Sequence, residues 1–166
     1  MAKKLLETLG KLVKLHEGLL TVTEDKGEAL IENNADRLQQ LVQKEQTYVA
    51  AIHTVEQQRL EQASSLLQNV GKQPEEEAPT ISECMEVLAD AQLIQQFEQR
   101  KDELIMIVAA LTQQNKLNRE LAFQSLQFVN MTMEMIMPKK NTMNYSNNKS
   151  AANLTRPNRS MFDSRT

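Results

Sequence analysis

Between Pro79 and Pro138 the chain carries neither glycine nor proline. Strands are usually about 3–10 residues long and need turns between them, so an unpunctuated stretch of this kind reads as helix. At about 1.5 Å per residue, ~45 helical residues form a rod of roughly 65 Å. The composition agrees. The 166 residues include only four glycines, four prolines and 4% aromatics, with no tryptophan. A β-sandwich or barrel draws on β-branched and aromatic residues and many Gly/Pro turns. An α/β nucleotide fold needs a glycine-rich strand-to-helix turn, and Gly10, Gly18, Gly27 and Gly71 are widely separated. The lone cysteine excludes an intramolecular disulfide framework and a Cys-based structural zinc site. The expected class is all-α, as one domain.

The apolar spacing divides this helical chain. Over residues 2–32, Leu5, Leu9, Leu12, His16, Leu19 and Leu30 step mostly by three or four, and Leu6, Val13 and Leu20 form a parallel row. Two adjacent rows make a broad face that suits a helix with two neighbours. Gly10, Gly18 and Gly27 each cost about 1 kcal/mol relative to alanine in a helix; they either permit close packing or mark weak points. Asn33-Asn34-Ala35-Asp36 is the first punctuation, with Asn34 the N-cap of a second helix over about 35–70. The chain either turns there or continues as one kinked helix. The second stripe is Leu38, Leu41, Val42, Tyr48, Val49, Ile52, Val55, Leu66 and Val70, and the stems of Glu45 and Arg59 cover its seam. Gly71 to Pro79, with two prolines and Glu75-Glu76-Glu77, reads as a solvated loop within 71–80. Thr80 or Ser82 caps a third helix over 81–137, with Glu83 or Glu86 in its first turn; Asp90 and the Gln95–Gln96 region are places where it could bend, though nothing compels a bend. The architecture predicted is an elongated antiparallel bundle or coiled coil of three to four long helices over residues 1–137, with 3-4 ridge packing.

Charge is unevenly placed. Residues 1–137 hold 13 Lys+Arg against 21 Asp+Glu, whereas 138–166 hold six Lys+Arg against Asp163 alone. The acidic body disfavours nucleic acid, whose phosphates require clustered cations. The tail also holds six asparagines and few apolar residues, too little to offset chain entropy, and is expected to be disordered. Near its end lies Met161-Phe162-Asp163, flanked by Arg159 and Arg165, a candidate linear motif. No membrane insertion is expected: the longest apolar run, Leu104–Leu111, falls well short of the ~20 residues that span a bilayer. The N-terminus, interrupted by Lys3, Lys4, Glu7 and Lys11, does not read as a secretory signal, which leaves the cytoplasm as the expected compartment.

No catalytic or metal constellation emerges, and no cofactor is called for. Neither His16 nor His53 sits in a Glu-x-x-His, His-Glu-x-x-His or His/Cys pattern, and no Gly-x-Ser-x-Gly occurs. His16 reads as a seam residue and Cys84 as a buried thiol. The anomaly is methionine. Met131, Met133, Met135 and Met137 alternate, and Met143 and Met161 follow. On a helix, a two-residue spacing spreads side chains around the circumference, so one seam cannot cover them all. Flexible, polarizable methionines on an exposed helix end suit an adaptable binding surface; the alternatives are core filling or a short strand.

Taken together, the chain resembles the FlgN-type flagellar export chaperones. The resemblance rests on Leu38-x-x-Leu41-Val42-x-Lys44-Glu45, Glu56-x-x-Arg59, Asn115-x-x-Asn118-x-x-Leu121, Ser125-Leu126-x-x-Val129 and the closing Arg-Ser-Met-Phe-Asp-Ser-Arg. It implies a cytosolic, non-enzymatic protein that binds hook-associated proteins 1 and 3 of the hook–filament junction. Such a chaperone prevents their premature assembly and delivers them to the flagellar export apparatus. In the family the C-terminal helix and the segment after it bind clients; by position this implies Leu126, Val129, Met131, Met133, Ile136 and Met137 here. A generic coiled-coil scaffold or tether is the alternative, and an enzyme the remote third.

Overall fold

The computed structural model describes residues 1–72 and 78–137. Four helices follow one another: α1 (Ala2–Ile31), α2 (Ala35–Asn69), α3 (Ile81–Glu86) and α4 (Ala91–Ile136). Among the described residues there is no strand. The predicted tail over 138–166, and Glu75–Glu77 of the loop, lie outside the described residues.

Each turn is built by the residues that sit in it. At the end of α1, Asn33 adopts φ +52°, the left-handed conformation that asparagine tolerates better than most residues. Its N–H donates to Leu30 O at 3.2 Å and that of Asn34 to Ala29 O at 3.0 Å, which caps the last carbonyls. Asn34 Oδ1 then accepts from the Arg37 N–H at 3.0 Å and opens α2. A reversal, not a kink, therefore separates the first two helices. Gly71 closes α2 in the same manner at φ +71°, with the Lys72 N–H donating back to Leu67 O at 3.1 Å. Thr80 and Glu83 form a reciprocal capping box at the start of α3.

The expected single helix over 81–137 needs correction, because it is two. α3 stops after six residues, and Val87–Asp90 carry the chain into α4. No glycine or proline marks the break. Asp90 creates it: its carboxylate accepts from the N–H groups of Gln92 at 2.9 Å and Leu93 at 3.4 Å. That bond satisfies orphan donors only where a helix begins. The gain from packing is clear, since Cys84 of α3 is fully buried against the core and Ile81, Met85, Val87 and Leu88 pack beside it.

α1 is the central element. It packs against both α2 and α4, while among the described residues no Cα of α2 comes within 8 Å of a Cα of α4. α2 runs against α1: Thr8 of α1 bonds Gln62 and Lys26 pairs with Glu45 at 2.6 Å. α4 runs alongside α1 in the same direction, with Gln96 and Gln99 near Leu6 and Gly10 at one end and Ser125 near Ala29 and Leu30 at the other. The bundle is therefore up, down, up. Its main core joins Leu5, Leu9 and Leu12 of α1, Ala63 and Leu67 of α2, Cys84 of α3 and Phe97 of α4. A smaller cluster of Val22, Ala29 and Leu41 lies near the α1–α2 turn.

On α4 the buried and half-buried positions include Phe97, Leu104, Leu111, Asn118 and Ser125, seven residues apart, interleaved with Arg100, Ile107, Gln114 and Leu121. This is the spacing of a coiled-coil seam. One rung is polar. Asn118 Nδ2 donates to Thr23 O at 2.6 Å, Gln114 Nε2 donates to Asn118 Oδ1 at 3.0 Å, and Thr23 Oγ1 donates to Leu19 O at 2.7 Å. A buried polar rung of this kind fixes the register of the two helices, because a slip would strand its donors. Gly27 makes room for it: an added Cβ would stand 2.7 Å from Asn118 Oδ1. Gly18 likewise accommodates the Tyr48 ring. At these two positions close packing is the explanation.

Candidate functional site

α4 outruns its partner. Its 46 residues span about 69 Å and the 30 residues of α1 about 45 Å. Ser125 is the last half-buried α4 residue beside the α1–α2 turn. Beyond it, every residue through Met137 is exposed except Thr132, which is half-buried. Met131, Met133 and Met135 are helical, which removes the short-strand alternative for the methionine run, and their exposure removes core filling.

This overhang is strongly apolar. Leu126, Val129, Met131, Met133, Ile136 and Met137 are each at least half exposed, from 50% at Met133 to 74% at Ile136. Helical phase sorts these six into two groups. Leu126, Val129, Met133 and Ile136 step by three and four along one face, and Met137 joins them one turn beyond Met133. Met131 lies on the other side. There it falls in step with Phe128 and Met135, two further exposed residues that the sequence-derived set omits. Phe123, 61% exposed, adds to the Leu126 face. Three of the chain's four phenylalanines occur on α4, and two of them are solvent-facing. In a chain so poor in aromatics, that was the available signal. Met161, Phe162 and Asp163 lie outside the described residues.

Large apolar residues normally leave such a surface. Isolated ones on a monomer need no explanation, but a contiguous group marks an interaction site. Methionine stands at four of the seven positions from Met131 to Met137, and its unbranched side chain adapts its shape more readily than a branched one.

The other side chains capable of chemistry lie apart from this overhang. His16 is half-buried on α1, its Nδ1 donating to Leu12 O at 2.8 Å, and His53 is exposed on α2. Among the described residues, no group of three or more His, Cys, Asp or Glu is placed to hold a metal ion. Burial pushes the Cys84 thiol above its ordinary range; nearby Arg59 opposes that shift and Glu83 adds to it. Arg59 grips Glu56 through Nε and Nη2 at 2.7–2.9 Å and donates to Pro79 O at 3.2 Å, tying α2 to the segment that leads into α3. None of the described helices is long and apolar enough to cross a membrane.

Comparison with known proteins adds an independent line. The family model described as FlgN protein matches residues 1–153. An uncharacterized protein of Bacillus subtilis (strain 168), YvyG, is 33% identical over 164 residues, covering 99% of this chain and 98% of that one. No solved structure matches. With the family model spanning most of its length and a relative matching nearly end to end, the chain belongs to the FlgN family.

Proposed function

We propose that this protein is a cytoplasmic flagellar export chaperone without enzymatic activity. Its clients are hook-associated proteins 1 and 3, which it keeps from premature assembly and delivers to the flagellar export apparatus. The observation that carries this reading is the bare apolar overhang of α4, from Leu126 to Met137, on a chain of the FlgN family. Client segments that form coiled coils once assembled present apolar stripes beforehand. A helix end with apolar residues at three- and four-residue steps covers such a stripe by helix packing. Methionine fits two different clients with one surface, because its unbranched side chain adapts to each.

A tether reading fits less well. Its heptads would have to be free for self-association, whereas the α4 seam from Phe97 to Ser125 packs inside the monomer. Truncation after Phe123 tests the proposal. Residues 1–123 retain every buried core residue, so the shortened chain should stay helical by circular dichroism. It should fail to copurify with hook-associated proteins 1 and 3. Undiminished copurification would reject the assignment of the binding surface.

A further inference from the structure

The separation of α2 from α4 leaves a groove with α1 as its floor. Leu12 and His16 lie at the bottom, Ile52, Glu56 and Arg59 on the α2 wall, and Lys101, Leu104, Ile105 and Val108 on the α4 wall; Pro79 and Ile81 close one end. Its volume is about 630 Å³, within the ~300–1,000 Å³ of pockets that take a compact ligand. The lining is mainly aliphatic, and Ile105 and Val108 are 58% and 46% exposed. This surface lies far along α4 from the overhang and has no part in the function proposed above.

We propose that the groove is the docking site of this chain's own C-terminal tip, Met161-Phe162-Asp163. Two observations favour that occupant. The first is charge. Lys101, on the groove wall, forms no ion pair among the described residues, and neither do Glu98 and Asp102 on the adjoining outer face of α4. The wall thus offers one cation bordered by two anions. The tip offers the inverse: Asp163 is the only acidic residue after Met137, and Arg159 and Arg165 flank it. Its apolar pair, Met161-Phe162, matches the aliphatic walls. On a larger scale, the six cations after Met137 face a body with 21 acidic residues against 13 basic ones, so attraction favours return of the tail to its own molecule.

The second observation is reach. From Met137 back to Val108, α4 measures about 44 Å at ~1.5 Å per residue. The roughly two dozen residues from Met137 to Phe162 extend to at most ~80–90 Å at ~3.3–3.6 Å each. The tip can therefore lie back along α4 and enter the groove without straining the tail. A tail cut to ten residues would reach only ~36 Å and fall short.

The test uses the full chain with a nitroxide on Ser164→Cys. Cys84, at 0% exposure, stays unlabelled under native conditions. Methyl NMR should show the Ile52, Ile105 and Val108 signals weakened at least twofold relative to the reduced label. The weakening should vanish with the double substitution Met161→Ala/Phe162→Ala, with the circular dichroism spectrum and thermal midpoint unchanged. It should vanish also on deleting residues 141–155, which makes the tail too short. Broadening confined to the Leu126–Ile136 methyls, or no site-selective broadening, would overturn the proposal. So would broadening transferred to an unlabelled copy in a mixed sample, which would make the occupant a second molecule.

Discussion

Gly10 and Gly27 lie on the same helix and should respond oppositely to alanine. Around Gly10 an added Cβ meets nothing within 4 Å, whereas at Gly27 it meets Asn118 Oδ1 at 2.7 Å and Gln114 Nε2 at 3.0 Å. Gly10→Ala should therefore raise stability by about 0.5–1 kcal/mol, the intrinsic helix gain. Gly27→Ala should lower it by about 1–3 kcal/mol, because the crowding disturbs a buried hydrogen-bonded rung and outweighs that gain. Urea unfolding of the two variants checks both signs. The sequence alone left the glycines undecided for a physical reason. Spacing shows that a glycine lies on a helix but not which side chain from another element stands opposite. The caps were more legible, because Asn34, Gly71 and Thr80 act on backbone groups only two to four residues away.

At the scale of elements, the boundary between α3 and α4 was the feature hardest to read. Aspartate within a long apolar pattern is compatible with a helix interior at modest cost; the packing of α3 onto the core adds to the Asp90 cap in favouring the break, and spacing alone does not show it. Asp90→Ala removes the acceptor for the Gln92 and Leu93 N–H groups. It should cost about 1 kcal/mol of stability, with amide exchange accelerated at the start of α4 and unchanged at the α1–α2 turn. Which helix α4 would pack against was equally hidden. Sequence periodicity gives a stripe but not a neighbour, so the packing of α4 on α1 and not on α2 shows only in the structure. The stripe on α2 was legible at Leu41 and Ile52, but Ala63 and Leu67, both fully buried, were missed. Alanine gives little hydropathic signal, and at Leu66-Leu67 the pattern alone does not choose between adjacent leucines.

For the whole molecule, the methionine run was legible and its organisation was not. Alternation in sequence identified Met131 to Met137 as too dispersed for one seam. Their separation into two faces, and the company of Phe123 and Phe128, follow only once α4 is known to continue as one helix past the end of α1. The groove was invisible in advance, since it depends on how far apart α2 and α4 stand on α1. The resulting protein is a short three-stroke bundle that holds a longer, apolar helix end clear of its core. In the proposed function, the bundle serves as the holder and the overhang as the contact.

That claim is tested most directly by calorimetric titration of hook-associated proteins 1 and 3 into the full chain and into the Leu126→Asp/Val129→Asp/Met133→Asp variant. All three residues are at least half exposed, so the variant should keep its helical content and thermal midpoint. The account predicts that its affinity for both clients falls by at least about tenfold, or ~1.4 kcal/mol. Equal affinity of the two chains, with both folded, would contradict it.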